Sequence, residues 1–215
     1  MVEVPAPQIQ HPWPGEVVTP LVQPYLERFG NVLTSAWKQY QHLRDTPNSA
    51  LPTASASSRG MLISDFTLTP AYSEFSDVEG AWVDTRYGRP WVNVAGGSVQ
   101  IRFRKLDRDM RVNKGDSDRA LQLAYHLGDP FLDDVFEATV LTAGYLLDPS
   151  ETMIETLALA CHVGNDPVYV INLPGGSVPA RQPRQLPLTP LSPPLIRSAR
   201  TDIAQRLARK QAASE

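Results

Sequence analysis

The dipeptide Gly96-Gly97 stands between two short runs, Trp91–Ala95 and Ser98–Lys105, in which apolar and polar residues alternate. Glycine enters the left-handed region without a Cβ clash, so this spacing predicts two antiparallel strands joined by a tight two-residue turn. The turn also fixes the register. Val94 pairs with Val99 and Val92 with Ile101 on one face, while Asn93 faces Gln100 and Trp91 faces Arg102 on the other. One face is therefore expected to be core and the other polar.

Further strands are expected at Met61–Leu68 and Ala81–Tyr87, and Ala138–Leu147, Thr152–Val163 and Pro167–Leu173 read as a meander. Its two turns are Asp148-Pro149-Ser150-Glu151 and Gly164-Asn165-Asp166. Leu21, Val22, Tyr25, Leu26, Phe29, Val32, Leu33, Ala36, Trp37, Tyr40 and Leu43 recur at three- and four-residue steps. That period predicts a long amphipathic helix starting near Pro24. Asp116 can cap a short helix with Ala120, Leu121, Ala124 and Leu127 on one side and Gly128 at its end. The expected fold is α+β: a mostly antiparallel sheet of about six or seven strands, a long N-terminal helix, one short helix and disordered termini.

Proline bounds the domain. Thirteen of the twenty prolines fall in the first 24 residues or in 174–194, where they withhold backbone donors and favour extended chain. The expected division is an extended arm (1–19), one α+β domain (20–174) and a Pro-rich basic tail (175–215), with 46–60 as a flexible connector. The formal charge of −3 conceals an asymmetry, because the tail carries seven Arg/Lys against two acids and the rest thirteen against twenty-one. No apolar run is long enough for a membrane span and the N-terminus lacks the pattern of a signal peptide, so a cytoplasmic location and no membrane partner are expected.

A single cysteine, Cys161, excludes an internal disulfide and thiolate zinc clusters. It alternates with Leu157 and Leu159 as a small core residue, and its neighbour His162 points to the opposite strand face, so the two cannot form an activated thiolate pair. His11, His42, His126 and His162 lack zinc-ligand spacing. No metal or cofactor is assigned, and neither a glycine-rich nucleotide loop nor a G-x-S-x-G elbow is present.

The densest charge lies in residues 100–114, with Arg102, Arg104, Lys105, Arg108, Arg111 and Lys114 relieved only by Asp107 and Asp109. Arginine forks suit phosphate or carboxylate. The register sets Arg102 and Arg104 on the face of Trp91, where a guanidinium can stack on the indole, so Trp91, Arg102, Arg104, Lys105, Arg108 and Arg111 form a candidate binding surface. The plainer reading is a solvated strand exit with local ion pairs. Asp84 followed by Gln100 and Arg102 faintly resembles the acidic and E/Q-x-K arrangement of metal-dependent nucleases. That chemistry makes Asp84, Gln100 and Lys105 weak catalytic candidates, with Asp65 and Glu79 as further ligands if their strands converge. Arg102 stands where such a motif wants Lys.

The tail's Arg197–Lys210 segment, with Ile196, Ile203 and Leu207, reads either as a terminal recognition helix or as a solubilising extension. Residues 101–130 (IRFRKLDRDMRVNKGDSDRALQLAYHLGDP) and 139–174 (TVLTAGYLLDPSETMIETLALACHVGNDPVYVINLP) carry a wider likeness. They resemble small uncharacterised prokaryotic proteins with an R-F-K-K-L-D strand, a short helix and a G-Y-x-L-D hairpin. Those proteins lie beside genes for helix-turn-helix or metallopeptidase-like proteins, as in toxin–antitoxin pairs. Arg104 stands where the first Lys of that motif would be. The resemblance implies one member of a two-protein module, and the lack of a helix-turn-helix implies the toxin or effector side. The leading expectation is thus an interaction or effector protein with a protein partner. The alternatives are a metal-dependent nuclease or other phosphate-acting enzyme, and a nucleic-acid binder using the basic strand and tail.

Overall fold

In the computed structural model, which describes residues 12–47, 51, 55–86, 88–112 and 138–175, the long helix is α2 (Leu26–Arg44), preceded by α1 (Gly15–Val22) and a short 3-10 turn at Gln23–Tyr25. The arm expected through residue 19 is therefore helical from Gly15. The reason is burial: Val18 and Val22 are wholly excluded from water, worth about 3–6 kcal/mol together, against the ~3 kcal/mol that Pro20 costs inside a helix. In α2, Leu26, Phe29, Val32, Leu33, Ala36, Trp37 and Tyr40 form one buried stripe, with Glu27 in the first turn and His42 and Arg44 in the last, as the helix dipole favours.

Met61–Leu68, expected to be a strand, is helical instead. It is divided between α3 (Ala56–Asp65) and α4 (Leu68–Phe75). Ser55, within the stretch expected to be a connector, starts α3 by accepting the Ser58 amide on its hydroxyl at 3.1 Å. Ile63, Thr67, Ala71 and Phe75, one every four residues, are all buried while Asp65, Thr69 and Ser73 midway between them are exposed, a pattern that fits a helix and not a strand, where residues two apart share a face. The expected short helix at 116–127 and the tail lie outside the described residues.

The sheet has six strands in chain order: β1 (Ala81–Arg86), β2 (Arg89–Val94), β3 (Val99–Lys105), β4 (Thr139–Leu147), β5 (Ile154–Val163) and β6 (Asp166–Asn172). The β2–β3 register is the expected one, Val94 opposite Val99 and Trp91 opposite Arg102. The expected two-residue turn closes it: the Ser98 N–H donates to the Ala95 carbonyl at 3.3 Å around Gly96-Gly97, and Ala95, Gly96 and Gly97 all have positive φ. Every neighbouring pair is antiparallel except β3–β4, which runs parallel from Val99–Thr139 to Lys105–Tyr145. A parallel neighbour cannot be reached by a turn, so the chain must travel back between residues 105 and 139.

The helices cover one sheet face. Phe29, Leu33, Trp37 and Tyr40 pack there with Val92, Val94, Val99, Ile101, Phe103, Leu141, Tyr145, Leu159 and Cys161. The opposite face, expected to be polar and solvated, is also largely dry: Trp91, Asn93, Val140, Thr142, Ala158, Ala160 and His162 are buried. Part of its cover is the chain leaving β3. Leu106 and Val112 pack with Ala158, Met110 and Val170 adjoin them, and the Met110 carbonyl lies 2.7 Å from His162 Nε2.

Candidate functional site

The second sheet face gathers the polar groups of β1, β2 and β3 because alternate residues of paired strands share a face. Asp84 lies across from Trp91, and Asn93 across from both Trp82 and Gln100. Into this set projects Arg86, which sequence reasoning did not single out although Asp84 and Arg86, two residues apart on β1, had to share a face. One Arg86 Nη1 donates to Gln100 Oε1 at 3.0 Å, and Nη2 donates to Asp84 Oδ2 at 3.3 Å and to Asn93 Oδ1 at 3.4 Å. Asn93 Nδ2 donates to Asp84 Oδ2 at 2.9 Å. The guanidinium lies 5.1 Å from the centre of the Trp91 ring, so Arg86, and not Arg102, stacks on that indole.

Asp84 and Gln100 are thus on one face, as the nuclease reading requires, but an internal cation joins them where that reading would place Mg²⁺. Asp65 and Glu79 do not join them; among the described residues no group of three His, Cys, Asp or Glu side chains could hold a metal ion.

The five basic candidates are not one surface. Arg102 donates from Nε to Thr142 Oγ1 at 3.3 Å, and its surroundings exclude enough water, with Arg104 nearby, to pull its guanidinium down to about 10. It stays charged at neutral pH, and among the described residues no carboxylate forms an ion pair with it. Arg104 and Arg108 are exposed. Arg111 spans Asp109 at 3.5 Å and Asp166 at 3.1 Å, while the Asp107 carboxylate accepts its backbone N–H at 2.8 Å.

Lys105, one residue out of phase with Arg102 and Arg104, lies on the helix-covered face, so the candidates Asp84, Gln100 and Lys105 are not brought together. Its Nζ donates to Glu151 Oε1 at 2.7 Å, and Glu151 also pairs with Arg59 of α3. Those two cations hold the Glu151 carboxyl below the usual carboxylate range, Lys105 first. The three rim a small cleft, partly open to solvent, whose walls include Trp37, Tyr40, Ile63, Tyr145 and Leu147. Neither Arg59, Tyr145 nor Glu151 carried a sequence signal, because three separate elements bring them to Lys105.

Cys161 is fully buried in the core, and desolvation pushes its thiol up to about 12, against a contact with Tyr169. Its neighbour His162 is on the other face. Among the described residues no helix is long and apolar enough to cross a membrane.

At the sheet's edge, β1 exposes Trp82, 43% accessible, and α4 exposes Tyr72, 44% accessible, whose hydroxyl lies 3.0 Å from Thr85 Oγ1. Trp82 and Thr85 project from opposite faces of β1, so an exposed aromatic is anchored on each side of this edge. Compared with protein families, with curated proteins and with solved structures, the chain finds no match.

Proposed function

We propose that this chain is the interaction or effector member of a prokaryotic two-protein module, and that its partner protein docks an extended segment on β1 as an additional strand. The observation that carries this reading is the character of that edge. Among the described residues nothing pairs with the outer side of β1, which has no proline, and Trp82 and Tyr72 offer apolar contacts on its two sides. Strand addition draws affinity from backbone hydrogen bonds and specificity from alternating side chains, which this edge supplies. The other edge, β6, starts at Asp166 and carries Pro167, features that discourage strand pairing. The module and the effector side rest on the resemblance of residues 101–130 and 139–174 to proteins of toxin–antitoxin arrangement.

The two alternatives draw less support. A nuclease would need Asp84 and Gln100 free for a cation, and Arg86 occupies both. A nucleic-acid surface would need the basic residues in one track, and Lys105 faces away from Arg102 while Arg111 is engaged by two aspartates.

The test is expression of the tagged chain in a bacterial host with growth followed, then hydrogen exchange on the chain with its co-purified partner. The expected result is growth arrest relieved by the partner's co-expression, with the amides of residues 82–86 protected in the complex. Harmless expression together with no retained partner, or a complex that leaves those amides unprotected, overturns the reading.

A further inference from the structure

Strand β1 turns a definite set of backbone groups outward, and their identity follows from the hairpin it makes with β2. The connection between the two strands is two residues long, with Arg86 opposite Arg89, so that closing pair exchanges its hydrogen bonds and every second pair along the ladder does the same. Arg86, Asp84 and Trp82 therefore turn their N–H and C=O groups toward β2, while Thr85, Val83 and Ala81 turn theirs away. Two further observations agree with that phase. Thr85 lies opposite Pro90, which has no N–H to give, and the Ala81 N–H donates to the Val78 carbonyl at 3.4 Å instead of to β2. What remains outward is the N–H and C=O of Val83 and of Thr85, and among the described residues none of the four has a hydrogen-bond partner.

The side chains that flank these groups carry a sign. Asp84 Oδ2 accepts from Arg86 and Asn93, and among the described residues nothing donates to Oδ1. Arg86 is turned inward to three acceptors and its side chain is 15% exposed against 41% for Asp84, so the carboxylate is what the edge presents. The exposed Trp82 indole, two residues away on the same face, offers its π surface to a cation. Where the chain enters β1, Asp77 and Glu79 are exposed and make no ion pair among the described residues.

We infer that the β1 edge takes a basic strand, an inference that rests on the strand addition proposed above: the incoming backbone pairs with Val83 and Thr85, and a Lys or Arg beside Asp84 spans its carboxylate and the Trp82 indole. On the helix side the incoming residues meet Val83, Thr85 and Tyr72, a half-buried surface that suits β-branched side chains. An acidic segment meets repulsion at Asp84 and again at Asp77 and Glu79, so the edge rejects strands of the wrong charge.

The experiment has two arms, both on the full-length chain. In the first, heptapeptides of the pattern Thr-X-Val-X-Thr-X-Val, with X lysine, serine or glutamate, are titrated while backbone amide resonances are followed. The lysine peptide is expected to give a saturable shift at the edge, with exchange protection gained at Val83 and Thr85 and little changed at Trp82, Asp84 and Arg86, which already face β2. It should bind at least about tenfold tighter than the glutamate peptide, and added sodium chloride should narrow the gap. In the second arm proline probes the phase. Thr85→Pro removes an outward N–H, so it is expected to keep a thermal midpoint near that of the wild type and to lose the lysine peptide. Asp84→Pro removes a ladder bond and is expected to melt well below Asp84→Ala. No saturable shift with the lysine peptide, equal affinity for lysine and glutamate peptides, or equal midpoint losses for the two proline variants overturns the inference. A co-purified partner that leaves Val83 and Thr85 unprotected sinks the function proposed above, whichever peptide binds. Protection of those two amides without a preference for lysine sinks the basic strand alone.

Discussion

A Cβ on Gly30 would sit 2.3 Å from the backbone carbonyl oxygen of Pro174. Gly30 is buried in the second turn of α2, and Pro174 follows β6, so the last described residues are seated on that helix. Because the obstacle is backbone, a methyl group there cannot be accommodated by a rotamer change. Gly30→Ala is expected to destabilise the fold by about 2–3 kcal/mol, even though alanine is the better helix former by about 1 kcal/mol. Urea unfolding measures it; a neutral or stabilising result would mean that the 174 region does not close on α2.

Arg86 makes hydrogen bonds to Asp84, Asn93 and Gln100 and a stacking contact with Trp91, while only 15% of its side chain is exposed. Arg86→Ala leaves three polar partners short of a donor and is expected to cost about 2 kcal/mol after allowance for the partial exposure of Asp84. Lysine carries the charge but not the planar fork, so Arg86→Lys is expected to recover about half of that at most. Urea midpoints for both variants, with Trp91 fluorescence as a local reporter, check the order wild type, Lys, Ala.

His162 gives the fold a pH dependence with a definite sign. Burial lowers its pKa below the ordinary 6.5 and Arg102 adds to this, while the Met110 carbonyl, Asp107 and Asp166 act the other way. The unfolded chain therefore takes up the proton at a higher pH than the folded one. The stability tied to the neutral ring is complete above about pH 6.5 and is lost as the pH falls from there toward the folded value. Denaturant midpoints at about pH 7.5 and about pH 5.5 should fall in the wild type, and His162→Gln should remove part of that drop. Identical drops in the two proteins would assign the effect to other groups.

Trp82 separates binding from folding. It is exposed on an edge strand, so Trp82→Ala is expected to change stability by no more than about 0.5 kcal/mol while abolishing retention of the partner in co-purification. Retention at the wild-type level would move the partner away from β1.

The strands were legible where the signal is local. Alternation with period two and turn residues located β1 to β6, and the glycine pair gave the β2–β3 register residue by residue. Residues 61–68 failed because eight mostly apolar residues suit a buried strand as well as a helix; the deciding evidence, exposed Asp65, Thr69 and Ser73 midway between buried Ile63, Thr67, Ala71 and Phe75, lies mostly beyond the run. The parallel β3–β4 pairing was not legible, since nothing local distinguishes it from an antiparallel one. In the site, the alternation already separated Lys105 from Arg102 and Arg104. Which arginine covers Trp91 depended on β1 pairing with β2, and the meeting of Arg59, Lys105, Tyr145 and Glu151 on tertiary packing alone.

The parallel contact between β3 and β4 divides the sheet kinetically. On one side β1, β2 and β3, and on the other β4, β5 and β6, are ladders of neighbours in sequence, whose loops close at small entropic cost. The seam between them joins residues about forty positions apart, Val99 to Thr139 and Lys105 to Tyr145, and pairs them with the slower, non-local geometry. Two cooperative units that mature separately and fuse along one line follow from this arrangement, and pulse-labelled exchange should find the amides of that line the last to gain protection.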